Sequence, residues 1–167
     1  AARVYAVIDE KPAVADRPDA RSLGHAKGNV EFANVSFSYP GGGAALAGLS
    51  FTAQPGETVA IVGPSGAGKS TVFNMLLRLY EASGGTVRVD GHDVRDVSLT
   101  SLRHNLALVS QDAFLFDATI RENIALGSKG ATDQQIEAAA QAAACDFIEG
   151  LPGSWSAPAG EAGRNLS

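Results

Sequence analysis

The chain has 167 residues, 45% of them hydrophobic and 19% charged, which is ordinary for a globular domain with a core of its own. The net charge of -5 argues against a nucleic-acid-binding surface, because the phosphate backbone attracts basic faces. No apolar run approaches the roughly 20 residues that a membrane span needs, and no signal peptide is visible. The single cysteine cannot form an internal disulfide, which fits a reducing compartment.

The first part of the chain is predicted to be a linker. Ala2–Glu10 carries apolar residues at roughly helical spacing, and Lys11–Lys27 then shifts to Pro, Asp, Ala, Arg and Gly, with two prolines that would end any helix. This composition indicates that residues 1–27 join an earlier segment to the domain of residues 28–167.

Alternating apolar residues predict two strands, over Val30–Tyr39 and Leu46–Ala53. The alternation changes phase near Ala33-Asn34, which indicates a bulge or a turn between two shorter strands. Tyr39 ends the first run. The pattern alone leaves open whether it is an ordinary strand aromatic or a ligand contact.

A phosphate-binding loop is predicted after a third apolar run. Thr58–Val62 is short and partly β-branched, which is typical of a buried parallel strand. The residues that follow fit a glycine, four free positions and Gly-Lys-Ser: Gly63, Pro64, Ser65, Gly66, Ala67, Gly68, Lys69, Ser70 and then Thr71.

The chemistry of this loop follows from its residue types. Glycines let the backbone curl so that successive N–H groups point at one anion, and a helix that begins here adds its positive end. The Lys69 ammonium can reach β- and γ-phosphate oxygens, and the Ser70 hydroxyl can hold Mg²⁺. A glycine-rich turn with a chance Gly-Lys-Ser is the competing interpretation, and the order of strand, loop and helix disfavours it.

After the loop the pattern predicts a helix, a hairpin and a second helix. Apolar residues over Val72–Tyr80 suit a buried helix, which Ser83-Gly84-Gly85 ends. Thr86–Val89 is typical of a strand that enters a tight turn at Asp90-Gly91. A short helix over Ser98–Arg103 is predicted, with its serine as the cap.

A further apolar run, Leu106–Val109, predicts another strand, and Gln111 follows almost directly. Ligands of open α/β sheets bind beyond the carboxyl ends of strands, so Gln111 could reach the metal or the γ-phosphate of a nucleotide. On position alone, a polar residue that merely leaves a strand is equally consistent.

The last third of the chain is predicted to be helical and then irregular. Ala118–Leu126 has the pattern of a short helix, and Thr132–Gln135 forms a capping box before an alanine-rich helix to about Ile148. Cys145 lies in that helical pattern, which favours a packed thiol over a nucleophile. Leu151–Ser167 is predicted to be a loop. The three histidines are predicted to face solvent: His25, His92 and His104.

Five further segments match, in this order, the motifs of a known protein family. They are Phe37-Ser38-Tyr39-Pro40, Val109-Ser110-Gln111-Asp112, Phe114-Leu115-Phe116 with Thr119-Ile120-Arg121-Glu122-Asn123-Ile124, Gly160-Glu161-Ala162-Gly163, and Asn165-Leu166-Ser167. With the phosphate loop and the linker, they resemble the nucleotide-binding domain of an exporter-type ATP-binding cassette (ABC) transporter over nearly the whole chain. Many ATPases share the phosphate loop, so the ordered set is the discriminating part.

The resemblance implies an α/β fold. It would contain a P-loop NTPase core, an antiparallel β subdomain and part of the helical subdomain of an ABC ATPase, with the C-terminal part of that domain missing. It also implies that residues 1–27 follow a transmembrane domain and that residues 28–167 are the N-terminal portion of the nucleotide-binding domain.

The same resemblance implies residue roles, with ATP and Mg²⁺ as the bound groups. Tyr39 would stack on adenine, and the loop from Gly63 to Thr71 would cradle the phosphates. Lys69 and Gln111 would serve catalysis, and Ser70 and Gln111 would hold Mg²⁺. The glutamine would also sense the transmembrane domain, and Gly160–Gly163 resembles the segment that faces its coupling helices.

The function implied is ATP binding and hydrolysis that powers export of a substrate across a membrane. The domain would lie on the cytoplasmic face, most simply of a bacterial inner membrane, and would pair head to tail with a second nucleotide-binding domain. No nucleic acid is expected as a partner.

The departures from the family pattern shape the expected activity. The acidic strand that carries a Mg²⁺-binding Asp and a catalytic Glu has no counterpart in these 167 residues, and neither has the later switch histidine. We therefore expect this chain alone to bind nucleotide weakly and not to hydrolyse it. The alternative is a catalytically inactive nucleotide-binding or interaction module. A small-molecule kinase would need an acceptor pocket and lid arginines, and neither is visible.

Overall fold

The computed structural model describes residues 12–111, 114–160 and 163. They belong to two compact units, residues 1–107 and residues 108–167, and each unit is described by itself. Among the described residues, no helix has both the length and the apolar character needed to cross a membrane. The elements in chain order are β1 (Val30–Ser38), β2 (Ala44–Ala53), α1 (Lys69–Leu76), β3 (Gly84–Val89), β4 (His92–Asp93), α2 (Leu99–His104), α3 (Ile120–Ala125), α4 (Asp133–Ala142), α5 (Phe147–Gly150) and a 3₁₀ turn at Ser154–Ser156.

The first unit is built on an antiparallel sheet with the strand order β2-β1-β3-β4. The two strands predicted from alternation are confirmed as β1 and β2. The phase change near Ala33-Asn34 is a bulge within one strand, because the β1–β2 register shifts between Phe32 and Val35. Asn34 has a φ of 52°, a left-handed conformation that asparagine tolerates better than most residues.

The core of the first unit lies between this sheet and α1. Phe32 of β1 stacks on Phe51 of β2 with ring centroids 4.7 Å apart. Val72 and Met75 of α1 are 4% and 2% exposed and pack into the same cluster. Burying side chains of this size stabilises the fold by about 1.5–3 kcal/mol each, which holds α1 in place.

The predicted hairpin and the second helix are confirmed. Asp90 and Gly91 have φ values of 49° and 80°, as a two-residue hairpin turn with two left-handed positions requires. The Ser98 side chain accepts a hydrogen bond from the Ser101 amide and caps α2.

The main error concerns two apolar runs predicted to be strands, the first of them a buried parallel strand. In the part of the chain that the structure describes, neither Thr58–Val62 nor Leu106–Val109 belongs to a strand. Val62 is 86% exposed and Val109 is 94% exposed. Such runs have strand propensity, but a parallel strand also needs neighbours on its ladder, and the described residues supply none for either run.

Residues 15–29, here called the N-terminal strap, lie along the first unit. The Arg21 amide donates to the Asp96 carbonyl at 2.9 Å, and the Ser98 amide donates to the Arg21 carbonyl at 2.8 Å. The Ala26 amide donates to Asn105 Oδ1 at 2.8 Å. The strap is therefore fixed at several points. The helical spacing noted at Ala2–Glu10 lies outside the described residues.

A buried arginine ties the strap to the end of α1. Arg78 is 1% exposed, and its Nη2 donates to the Ala15 carbonyl at 2.9 Å and to Glu81 Oε1 at 2.7 Å. Its Nη1 lies 3.5 Å from the Val97 carbonyl oxygen and 4.0 Å from Asp16 Oδ1. The guanidinium is thus shared between three segments of the unit.

Asp90 anchors the other end of the strap. Its carboxylate accepts hydrogen bonds from the amides of Lys27, Gly28 and Asn29, at 2.5, 3.1 and 2.9 Å. Burial acts to raise the pKa of Asp90, but these amides and the Lys27 charge outweigh it and hold the pKa below its ordinary value of 3.8. The ionised form is therefore favoured by folding.

We expect the stabilisation of the folded state by the ionised Asp90 carboxylate to be complete above pH 3.8. It should disappear as the pH falls through the lower pKa of Asp90 in the folded state. In an acid titration followed by NMR, the amide protons of Gly28 and Asn29 should shift with a midpoint below 3.8. Asp90→Asn should abolish that step, whereas Asp19→Asn, a change at an exposed strap carboxylate, should preserve it. A midpoint above 3.8 would contradict the assignment.

Among its described residues, the second unit has three short helices. Threonine caps begin α3 and α4, and each forms a capping box, as predicted for Thr132 with Gln135. The alanine-rich helix ends at Ala142 rather than near Ile148, because Ala144 adopts a left-handed φ of 55°. An alanine-rich pattern contains no residue that ends a helix, so the sequence did not predict where α4 ends.

The cysteine therefore lies between α4 and α5 and not within a helix. It is partly buried and packs against the apolar cluster of this unit, as expected for a packed thiol: Cys145 against Ile120, Ala140, Ile148 and Ala157.

Candidate phosphate-binding site

The predicted phosphate loop leads directly into α1. The Ala67 amide donates to the Pro64 carbonyl at 3.2 Å, which closes a turn, and Gly66 adopts a left-handed φ of 82°. Gly68 is the N-cap of α1, makes no side-chain cap, and no acidic residue lies in the first helical turn. The positive end of α1 is therefore left without a negative group from its own first turn, which suits an anion.

A close approach to β2 requires glycine at the N-cap. Gly68 has a φ of 84°, and a Cβ placed on it would lie 2.2 Å from the carbonyl oxygen of Ala45. No other residue fits this contact without a shift of backbone. The loop is thereby seated on the second strand of the sheet.

The Lys69 ammonium lies within the curve of the loop. Its Nζ donates to the carbonyl oxygens of Gly63 and Pro64, at 2.9 and 2.7 Å. These carbonyls carry only partial charges, so phosphate oxygens at the same place would be stronger acceptors. The cation, the glycine turn and the helix end together fit a polyphosphate.

The hydroxyl residues after the lysine have different environments. Ser70 is exposed, so its hydroxyl is available to a ligand, whereas Thr71 is 4% exposed. The Thr71 Oγ1 lies 3.3 Å from the Tyr39 hydroxyl. Thr71 thus directs its side chain towards the first strand.

Tyr39 lies one residue beyond β1 and is brought against α1. Its ring meets those of Phe37 and Tyr80 nearly edge to face, with centroid distances of 4.8 and 5.2 Å. Its hydroxyl accepts a hydrogen bond from Asn74 Nδ2 at 2.9 Å. Asn74 was not among the predicted site residues, although its position three residues after Thr71 places both on one helical face.

Gln111 belongs to the second unit, where it is exposed. Its neighbour Asp112, the last residue of the predicted motif, lies outside the described residues. The roles of Gln111 and Ser70 towards Mg²⁺ remain predictions.

An exposed aromatic pair follows Gln111 in the second unit. Phe114 and Phe116 are 69% and 54% exposed, and their rings meet edge to face with centroids 5.1 Å apart. Asn123 of α3 holds the chain here: its Oδ1 accepts from the Phe116 amide at 2.8 Å, and its Nδ2 donates to the Phe116 carbonyl at 3.1 Å. The aromatic pair is therefore presented by a fixed backbone.

The two segments predicted near the end of the chain lie largely outside the residues that the structure describes. Glu161 and Ala162 of the predicted coupling segment and Asn165–Ser167 of the predicted signature lie outside the described residues. Among the residues that are described, no group of three or more His, Cys, Asp or Glu side chains could hold a metal ion. The solvent exposure predicted for the histidines is confirmed at His25, His92 and His104.

The chain that contains this loop is similar in sequence to known proteins. The profile described as "ABC transporter" matches residues 46–159. A β-(1→2)glucan export ATP-binding/permease protein of Nitrobacter winogradskyi is 48% identical over 98% of the chain, and the chain spans 27% of that protein. An ATP-dependent lipid A-core flippase of Desulfotalea psychrophila is 45% identical over 100% of the chain, which spans 29% of it.

The fold is shared with a solved exporter. A bacterial Atm1-family ABC exporter with ATP bound superimposes with a TM-score of 0.91 and 45% identity, over 99% of this chain and 29% of the exporter chain. This match confirms the predicted fold class, a piece of an α/β ABC ATPase with an antiparallel β subdomain. The chain thus spans less than a third of the relatives named here.

Proposed function

This chain belongs to the ABC transporter family, and we propose that it forms the ATP-binding part of an ATPase that powers export across a membrane. The observation that carries the proposal is the loop Gly63–Thr71. In it, an uncapped helix end, left-handed glycines and the Lys69 ammonium converge on one place. The glucan export protein and the solved ABC exporter, which are named for export, support the direction of transport.

In the proposed reaction, water attacks the γ-phosphorus of ATP, and the bond from that phosphorus to the β–γ bridging oxygen breaks to give ADP and phosphate. Lys69 would exchange its two carbonyl acceptors for phosphate oxygens and offset charge on the γ-phosphate. The amides at the start of α1 would bind the same phosphates. Positioning and charge supply most of the catalysis in such a reaction.

Adenine would be held by the aromatic residue beyond β1. Tyr39 is half-buried between two other rings, and stacking of a base on an aromatic side chain is worth roughly 1–3 kcal/mol in nucleic-acid complexes. Its contact with α1 supports a shared site for base and phosphates.

Two oxygen donors of the kind that Mg²⁺ prefers are proposed for this ion, each taken by itself: the Ser70 hydroxyl of the first unit and the Gln111 side-chain carbonyl of the second unit. Mg²⁺, when bound, neutralises charge that develops on the β- and γ-phosphates. Both donors are exposed, which leaves them available.

The proposed partners are a second nucleotide-binding domain, paired head to tail, and the coupling helices of a transmembrane domain. The exposed pair Phe114 and Phe116 supports an apolar contact surface in the second unit, because large exposed aromatic groups favour partner binding. We place the domain on the cytoplasmic face of the membrane, as part of an integral membrane transporter. The exported substrate would be chosen by the transmembrane part.

The test is hydrolysis by the full-length protein that carries these residues, reconstituted in lipid vesicles. We expect Mg²⁺-dependent phosphate release, and Gln111→Ala should lower its rate roughly 10-fold or more, because a metal-holding group is lost. ATP affinity without Mg²⁺ should stay within a factor of about two, since Gln111 is proposed to act through the metal.

Gln141→Ala, a change at an exposed glutamine of α4, serves as the matched control and should leave the rate unchanged. ATP binding without any hydrolysis would favour the alternative of an inactive nucleotide-binding module. Absence of ATP binding would overturn the proposal.

A further inference from the structure

We propose that Asn74 is a positioning residue for nucleotide binding: it holds the Tyr39 hydroxyl and so fixes the base-binding ring to the helix that begins at the phosphate loop. The inference rests on the proposed function, because it concerns the same site. It adds a residue that lies outside the phosphate-loop motif.

Tyr39 needs an anchor because of its place in the chain. β1 ends at Ser38, and the residues that follow are Pro40 and three glycines, of which Gly41 has a left-handed φ of 72°. The Gly42 amide closes a turn on the Tyr39 carbonyl at 3.0 Å. The backbone at such a junction does little to fix the side chain, so a hydrogen bond at the far end of the ring restricts its orientation further.

Asn74 supplies that bond from α1. Its Nδ2 donates to the Tyr39 hydroxyl oxygen at 2.9 Å, and the Thr71 Oγ1 lies 3.3 Å from the same oxygen. Asn74 is half-buried and Thr71 is buried, so water competes poorly for these bonds. Asn74 and Thr71, on one face of α1, thus both contact the Tyr39 hydroxyl.

The helix that grips Tyr39 also carries the phosphate-binding groups. Lys69 and Ser70 form its first turn, one helical turn before Asn74. Tyr80, shortly after the helix, bounds the ring of Tyr39 from another direction. The ring therefore has a fixed relation to the phosphate loop, and a nucleotide that meets both should bind more tightly than it does with a loose ring.

The experiment compares ATP with inorganic tripolyphosphate, which has the phosphates and no base, as ligands of the full-length protein. Asn74→Ala should weaken ATP binding by about 3- to 10-fold, as expected for loss of one hydrogen bond and its ordering effect. Tripolyphosphate binding should change by less than about 2-fold, because the phosphate loop does not use Asn74. Equal weakening of both ligands would show a general disturbance of α1 and would overturn the proposal.

Tyr39→Phe removes the hydroxyl, with its contacts to both Asn74 and Thr71, and keeps the ring, so it should weaken ATP binding at least as much as Asn74→Ala. The double variant should bind ATP no more weakly than Tyr39→Phe. Additive effects would mean that Asn74 acts without Tyr39, which would overturn the inference. Asn29→Ala, a half-buried asparagine whose Nδ2 donates to Gln54 Oε1, is the matched control and should bind both ligands normally. If the unmodified protein bound neither ligand, the proposed function itself would fail, and unchanged ATP affinity in Asn74→Ala would refute only the positioning role.

Discussion

Lys69→Ala is expected to weaken ATP binding by roughly 10- to 150-fold, because hydrogen bonds to charged groups contribute about 1.5–3 kcal/mol. The ammonium already lies in the loop, where it donates to the carbonyls of Gly63 and Pro64. Alanine would remove this cation, so that the loop itself would offer the γ-phosphate only neutral amides and the partial charge of the helix end.

The measurement is an equilibrium titration of the full-length protein with a fluorescent ATP analogue at constant ionic strength. Lys129→Ala removes an exposed lysine of the second unit and serves as the control for net charge. Its affinity should equal that of the unmodified protein. If Lys69→Ala bound ATP as well as Lys129→Ala does, the assignment of the loop as a phosphate cradle would be untenable.

Arg78→Met is expected to produce the largest loss of stability, roughly 2–4 kcal/mol of unfolding free energy. Arg78 is 1% exposed, and methionine would leave the Ala15 and Val97 carbonyls without their donor. Glu81, whose side chain is 43% exposed, can be solvated and should add little to the cost.

Thermal unfolding and hydrogen exchange of the strap amides measure this effect. The Ser98 amide, which bonds to the Arg21 carbonyl, should lose protection in Arg78→Met. Arg88→Met is the matched control, because Arg88 pairs with Glu31 at 3.1 Å and both side chains are more than a third exposed. That pair should contribute less than about 1 kcal/mol. Equal destabilisation by the two variants would contradict a special role for Arg78.

Local chemistry explains which parts of the fold were predictable. The turn at Asp90-Gly91 and the caps at Ser98 and Thr132 depend on residues within three positions of one another, and all were predicted correctly. The glycine turn before α1 could be anticipated for the same reason, since its glycines and the lysine lie within the seven positions from Gly63 to Lys69. Its role as a phosphate site stays a prediction.

Features that depend on distant partners could not be predicted. Thr58–Val62 has the composition of a strand, but whether it pairs is decided by residues elsewhere in the fold. The burial of Arg78 was equally hidden, because its acceptors at Ala15 and Val97 are distant in sequence. The contact between Tyr39 and Asn74 spans 35 positions and appears only when β1 and α1 are packed together.

The strap has a mechanical consequence. Arg78 follows α1 by two residues and grips the Ala15 carbonyl, so the strap and the phosphate-binding helix are connected in series through one rigid guanidinium. A displacement of the chain at residue 15 would therefore be transmitted through Arg78 to the C-terminal end of α1. Movement of the strap and binding at the phosphate loop thus act on opposite ends of the same eight-residue helix, α1.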